Sequence, residues 1–94
     1  MKPNFEWDEK KAKSNIKKHG VTFDEAMTVL QDEFSLTIHD IAHSTTEDRF
    51  VDIGLSSSGQ VLVVIYTERG NNIRILSCRK ATTQERKVYE TQNS

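Results

Sequence analysis

Up to residue 32 the apolar side chains of this chain recur at helical spacing, and from residue 34 onward they alternate. That change of period constrains the fold more than any other feature. A 3.6-residue repeat buries one stripe of a helix and a two-residue repeat buries one face of a strand, and neither pattern can serve as the other. Asp8 reads as the N-cap of a helix running to about His19, with Ala12 and Ile16 on one face and lysines on the others. Gly20 suits the left-handed residue that closes such a helix. Thr22-Phe23-Asp24-Glu25 reads as a capping box, in which Thr22 accepts from the amide of Glu25 and Glu25 reaches back. Phe23, Ala26, Met27 and Leu30 then carry a second helix to near Gln31 or Asp32.

The alternating part divides at its turn residues. Ser35 to His39 is a first strand, residues 40–48 are a polar, acidic loop, and Arg49 to Ser56 is a second strand. Ser57-Ser58-Gly59 returns the chain antiparallel into Gln60 to Thr67, and the turn Glu68 to Asn72 leads into Ile73 to Arg79. Thr82-Thr83-Gln84-Glu85 is a second capping box, opening a helix through about Tyr89. The pattern predicts one α+β domain over residues 1–94: two N-terminal helices, a four-stranded antiparallel sheet and a C-terminal helix. The helices are expected to cover one face of the sheet and leave the other for function. Alternation sorts Ile73, Ile75, Ser77 and Arg79 to one side of the last strand and Arg74, Leu76, Cys78 and Lys80 to the other. Arg74 and Arg79 are therefore expected on opposite sides unless a bulge intervenes.

Size and composition exclude several classes of function. A chain of 94 residues buries only roughly 60–65% of its unfolded surface, so a deep pocket for a large cofactor is not expected and substrates should meet an open face. The single cysteine, Cys78, makes neither an internal disulfide nor a cysteine-based zinc site by itself, and reads as a small core residue. No apolar run is long enough for a signal peptide or a membrane span, so a cytoplasmic protein without membrane contact is expected. There is no Gly-rich phosphate loop, HExxH, EF-hand or nucleophile-elbow pattern. His19, His39 and His43 fall on three different elements, and neither a metal nor a cofactor is expected.

The net charge of −1 hides an uneven distribution. Residues 1–20 carry six lysines against three acids, residues 21–67 one arginine against eight acids, and residues 68–87 six Lys/Arg against two acids. If the two basic segments meet in space they make a basic face; otherwise the surface is merely mixed. The strands and their margins carry Arg49, Arg69, Arg74, Arg79 and Lys80. Arginine suits phosphate, because its planar fork makes two hydrogen bonds and stays charged. Glu47 and Arg49, two residues apart, would lie on one side of a strand, as a structural ion pair or as a base beside a phosphate clamp.

These residues also carry a family resemblance. Phe5-Glu6-Trp7-Asp8, Lys18-His19-Gly20-Val21 with Phe23 and Ala26, Glu47-x-Arg49 with Ile53-Gly54, Thr67-Glu68-Arg69-Gly70, and Ile73 to Thr82 with Glu85 and Tyr89 resemble, in order, the motifs of BrnT-type toxins. The similarity spans about residues 5–89. Cys78 departs from the alanine usual in the family. The resemblance implies a RelE-like ribonuclease fold and a type II toxin–antitoxin system. It implies as partner a ribbon-helix-helix DNA-binding antitoxin of the BrnA type, in a heterotetramer that reaches operator DNA through the antitoxin.

Metal-free RNA cleavage would need a base for the 2′-OH, cations for the phosphorane and an acid for the leaving oxygen. The expected assignment makes Arg49, Arg69 and Arg79 the phosphate cations and Glu47 or His19 the proton carrier. Lys18, Arg74 and Lys80 would be RNA-binding charges. Trp7 and Tyr89 are either base-stacking surfaces or core anchors. The alternative is a non-catalytic RNA- or protein-binding module acting as corepressor in a toxin–antitoxin complex. Catalysis requires the guanidinium groups to converge on one exposed surface.

Overall fold

The computed structural model describes residues 4–43 and 47–93, except for the side chain of His43, so part of the expected 40–48 loop lies outside the described residues. A short strand β1 (Asn4–Glu6) precedes helices α1 (Glu9–His19) and α2 (Phe23–Leu30). Then come β2 (Leu36–His39), a 3-10 turn (Ile41–His43), β3 (Arg49–Leu55), β4 (Val61–Arg69), β5 (Asn72–Lys80) and α3 (Thr83–Gln92).

The helix ends fall where the sequence marks them. Asp8 accepts from the amide of Lys10, and Gly20, at φ 68°, closes α1 by donating its amide to the Ile16 carbonyl. Thr82 and Glu85 form a complete reciprocal box at the start of α3. At α2 only half of the expected box forms. Thr22 accepts from the Glu25 amide, but the Glu25 carboxylate turns away to accept from the hydroxyls of Ser56 and Ser58. Two hydroxyl donors replace one backbone amide, and the turn between β3 and β4 is thereby tied to α2. The Ser57 amide, donating to Thr28 Oγ1 at 2.9 Å, adds a second tie.

The sheet order is β1-β5-β4-β3-β2. β2 to β5 form the expected antiparallel meander. β1 adds a parallel edge, with Asn4, Phe5 and Glu6 opposite Asn72, Ile73 and Arg74. The four-stranded antiparallel sheet is thus corrected to a five-stranded mixed sheet among the described residues. Three residues are too few to display an alternation, and this pairing joins opposite ends of the chain.

The expectation of helices on one face also needs correction. Ala12, Val21, Phe23, Ala26 and Val29 pack over Leu62, Val64, Tyr66, Ile75 and Cys78. Burying each large apolar side chain here contributes about 1.5–3 kcal/mol. On the opposite face Tyr89 of α3 packs with Ile53 and Val63, flanked by Leu36, Val51, Val61 and Ala81. α3 sits there because Tyr89 is its one buried side chain, and the Tyr89 hydroxyl is anchored to Asp32 at 2.7 Å.

α1 is held against β5 by a polar contact that the apolar pattern does not predict. Ile16 is 48% exposed, and the residue buried beside Ala12 is Asn15. β1 reaches only as far as Arg74 along β5. Beyond it Asn15 serves the open edge, donating to the Cys78 carbonyl at 2.7 Å and accepting from the Cys78 amide at 3.1 Å. It also donates to the Val21 carbonyl at 3.0 Å.

Candidate functional site

One extra residue in β5 decides which arginines meet. Val63, Val64 and Ile65 pair with Arg79, Cys78 and Ser77, but Tyr66 pairs with Ile75, which leaves Leu76 as a bulge. A bulge resets the alternation of its strand. Ile75 and Cys78 therefore share the helix-covered face, and Arg74 shares the other face with Ser77 and Arg79. Arg74 and Arg79 thus lie on the same side, not on opposite sides as simple alternation predicts.

The register then builds a continuous row across four strands on that face. Arg49 pairs with Thr67, Thr67 with Arg74, and Arg74 with Glu6. Neighbouring positions in such a row are about 4.8 Å apart. Arg69, two residues beyond Thr67, projects to the same side. Its Nε and Nη2 donate to Glu47 at 2.9 and 3.2 Å, and Arg74 Nη1 donates to Glu6 at 2.9 Å. Glu47 is therefore held by Arg69, a residue distant in sequence. The Arg69 fork holds the Glu47 carboxyl below its ordinary value; burial opposes this, and the charges of Arg69, Arg74 and Arg49 reinforce it. One carboxylate thus feels three guanidinium groups.

Arg79 stands at the other end of the same face. It pairs with Val63, four residues from Thr67 along β4, or roughly 13 Å. Its Nη1 and Nη2 donate to the two oxygens of Glu85 at 2.7 and 2.8 Å. That pairing pushes Glu85 down to about 2 and raises Arg79. Glu85 also accepts from the Thr82 amide at 2.9 Å, so one carboxylate caps α3 and orients Arg79. Each of Arg69, Arg74 and Arg79 thus holds a carboxylate of its own. The exposed Arg69–Glu47 pair adds little stability, and the part-buried, bidentate Arg79–Glu85 pair adds more; each pair fixes the direction of its fork while the remaining N–H groups stay available to a ligand.

The other expected site residues lie apart from the row. Lys18 and His19 line a cleft of about 250 Å³ between α1 and β5, together with Lys11, Ser14, Leu76 and Ser77. Lys80 lines a separate hollow of about 420 Å³ beside α3 with Leu55, Gln60 and Arg86. Trp7 packs against the core, edge-on to Phe23 at 6.0 Å, and Tyr89 is buried; both act as anchors in this fold. Cys78 is buried, and burial pushes its thiol up to about 12, as suits a core residue. Sequence reading missed Glu6, whose partner only the parallel pairing supplies. It also left Thr67 out of the candidate set, although period two aligns it with Arg69.

A sheet face with four arginines, covered by α3 only around Ile53 and Val63, suits a polyanion. Comparison with known proteins narrows this further. The family profile described as the ribonuclease toxin BrnT of type II toxin–antitoxin systems matches residues 7–85. Among solved structures, that of the Brucella abortus ribonuclease toxin BrnT superposes with a TM-score of 0.64 at 28% identity, covering 88% of this chain and 99% of that one. A search of curated protein sequences finds no match. Across most of its length, then, the chain belongs to the BrnT family, the ribonuclease toxins of type II toxin–antitoxin systems.

Proposed function

We propose that the arginine-bearing face cleaves RNA without a metal ion, by attack of a ribose 2′-OH on the adjacent phosphate. The observation that carries this reading is the Leu76 bulge, which turns Arg74 onto the side already occupied by Arg49 and Arg69. The scissile phosphate lies over the row. The guanidinium groups supply there the charge that a phosphorane needs. Glu47 accepts the 2′-OH proton. Its lowered pKa keeps it ionised at neutral pH, which makes it a weak but always available acceptor. Lys18 and Lys11 in the cleft beside Ser77 hold the neighbouring stretch of backbone, and His19 returns the proton to the leaving oxygen once the RNA chain spans the row and this cleft. Arg79 and Lys80 extend the track towards α3.

A type II toxin is held in check by a protein antitoxin. We assign that role to a BrnA-type ribbon-helix-helix protein, in a heterotetramer that reaches operator DNA through the antitoxin and works in the cytoplasm. The fold is of the RelE-like ribonuclease type.

The test is purified chain, RNA and excess chelator. Cleavage should persist and leave 2′,3′-cyclic phosphate and 5′-hydroxyl ends, and an oligonucleotide with a single deoxyribose 5′ to the cut should survive at that position. Loss of cleavage on chelation, or cutting at the deoxyribose, would overturn the mechanism. Glu47→Gln and His19→Ala then separate the two proton carriers by which one abolishes turnover.

A further inference from the structure

Thr67 occupies the centre of the arginine row, and its hydroxyl is the one buried side-chain polar atom without a hydrogen-bond partner among the described residues. The residue is 2% exposed. Buried hydroxyls normally find a partner, and leaving one unmade destabilises the fold. Valine would fill the same space without that penalty, so packing alone gives no reason for the hydroxyl.

The neighbours indicate what it awaits. Arg49 and Arg74 flank Thr67 on the adjoining strands, and Arg69 follows two residues later on the same side. Thr67 is thus buried although its two register neighbours on this face are long cationic side chains. A ligand that draws Arg74 off Glu6 would reach the hydroxyl and find a neutral donor between two cations. That combination fits a phosphodiester, whose two non-bridging oxygens can take a guanidinium N–H and a hydroxyl together.

We propose that Thr67 Oγ1 contacts the substrate, donating to a non-bridging oxygen of the scissile phosphate. This rests on the reading of the face as the RNA-cleaving site. No proton is transferred: the hydroxyl keeps its hydrogen and the bond shortens as charge builds on the phosphorane, so the contact is stronger in the transition state than with bound RNA. Its loss should therefore fall on kcat more than on KM.

The experiment measures single-turnover cleavage, kcat and KM on a short RNA that the wild-type chain cuts, together with the urea unfolding midpoint. Thr67→Val should fold at least as stably as the wild type and lose about 10²-fold in kcat. Thr67→Ser, which keeps the hydroxyl, should stay within about fivefold. If Thr67→Val loses less than about fivefold the proposal is overturned. If Thr67→Val is destabilised, Thr67→Ser decides: retained cleavage supports the hydroxyl, and a loss as large as valine's overturns it. Arg69→Ala measured alongside distinguishes the two levels. An inactive Arg69→Ala beside a fully active Thr67→Val removes only this inference, whereas full activity in both removes the site itself.

Discussion

Replacing Asn15 should be among the most damaging single changes in the chain, although no apolar contact is lost. Its side chain is 6% exposed and makes three hydrogen bonds, to the carbonyls of Val21 and Cys78 and from the amide of Cys78. Asn15→Leu is close in volume but leaves those three backbone groups without their partner. Each orphaned group costs about 1–3 kcal/mol, the carbonyls less because their second lone pair is more easily satisfied. The total is about 3–5 kcal/mol, a large share of the 5–15 kcal/mol typical of a folded domain. With an m-value of about 1.5 kcal/mol/M, the urea midpoint should fall by roughly 2–3 M. Asn15→Asp separates hydrogen bonding from packing. It keeps the shape and the acceptor for Cys78 but turns two donor contacts into carboxylate facing carbonyl, so at neutral pH it should cost as much as leucine. An aspartate variant that unfolds within about 1 kcal/mol of the wild type would refute the argument and assign Asn15 to space filling.

Three further outcomes follow from the geometry. Gly54 lies where α2 crosses β3, and a Cβ there would meet Ser35 Cβ at 2.9 Å and Val29 Cγ1 at 3.1 Å; Gly54→Ala should destabilise by about 1–3 kcal/mol in denaturant titration. Glu85 is depressed from an ordinary 4.5 to about 2, chiefly by its hydrogen bonds with Arg79. A depressed carboxylate stabilises the fold above its unfolded value and loses that contribution as pH falls towards its folded value. Glu85→Gln should therefore remove about 1–2 kcal/mol at pH 7, after allowing for solvent screening, and flatten the acid limb between pH 4.5 and 2. The Cys78 thiol, raised to about 12 and buried, should react with a disulfide reagent only as fast as the chain unfolds; rapid labelling of native protein would contradict its placement.

Local chemistry was legible and long-range register was not. Asp8, Gly20 and Thr22 mark helix ends through contacts within a few residues, so they can be read in order along the chain. β1 leaves no such mark, because its hydrogen bonds go to a strand at the other end of the sequence. Leu76 leaves only a faint mark: the alternation of Ile73 to Arg79 breaks where Ile75 and Leu76 adjoin, and that break becomes a bulge only when Tyr66 pairs with Ile75. Since one bulge moves Arg74 across the sheet, the arginines could be named as candidates from sequence while their common face could not. Asn15 shows the converse. A polar residue three positions after Ala12 sits on the buried stripe, a signal that the apolar count passes over. Glu47 is two residues from Arg49 along the chain, but the fork that binds it belongs to Arg69, a partner that spacing along one strand does not reveal.

The most direct test of the account is the single-turnover rate of RNA cleavage by Arg74→Ala in excess chelator, because Arg74 joins the site only through the bulge. Arg74 is half-buried and paired with Glu6, so the unfolding midpoint is measured alongside and should fall by no more than a surface ion pair is worth, about 1 kcal/mol. The rate should be about 10²–10³-fold below that of the wild type. A folded Arg74→Ala variant cutting RNA at the wild-type rate would contradict it.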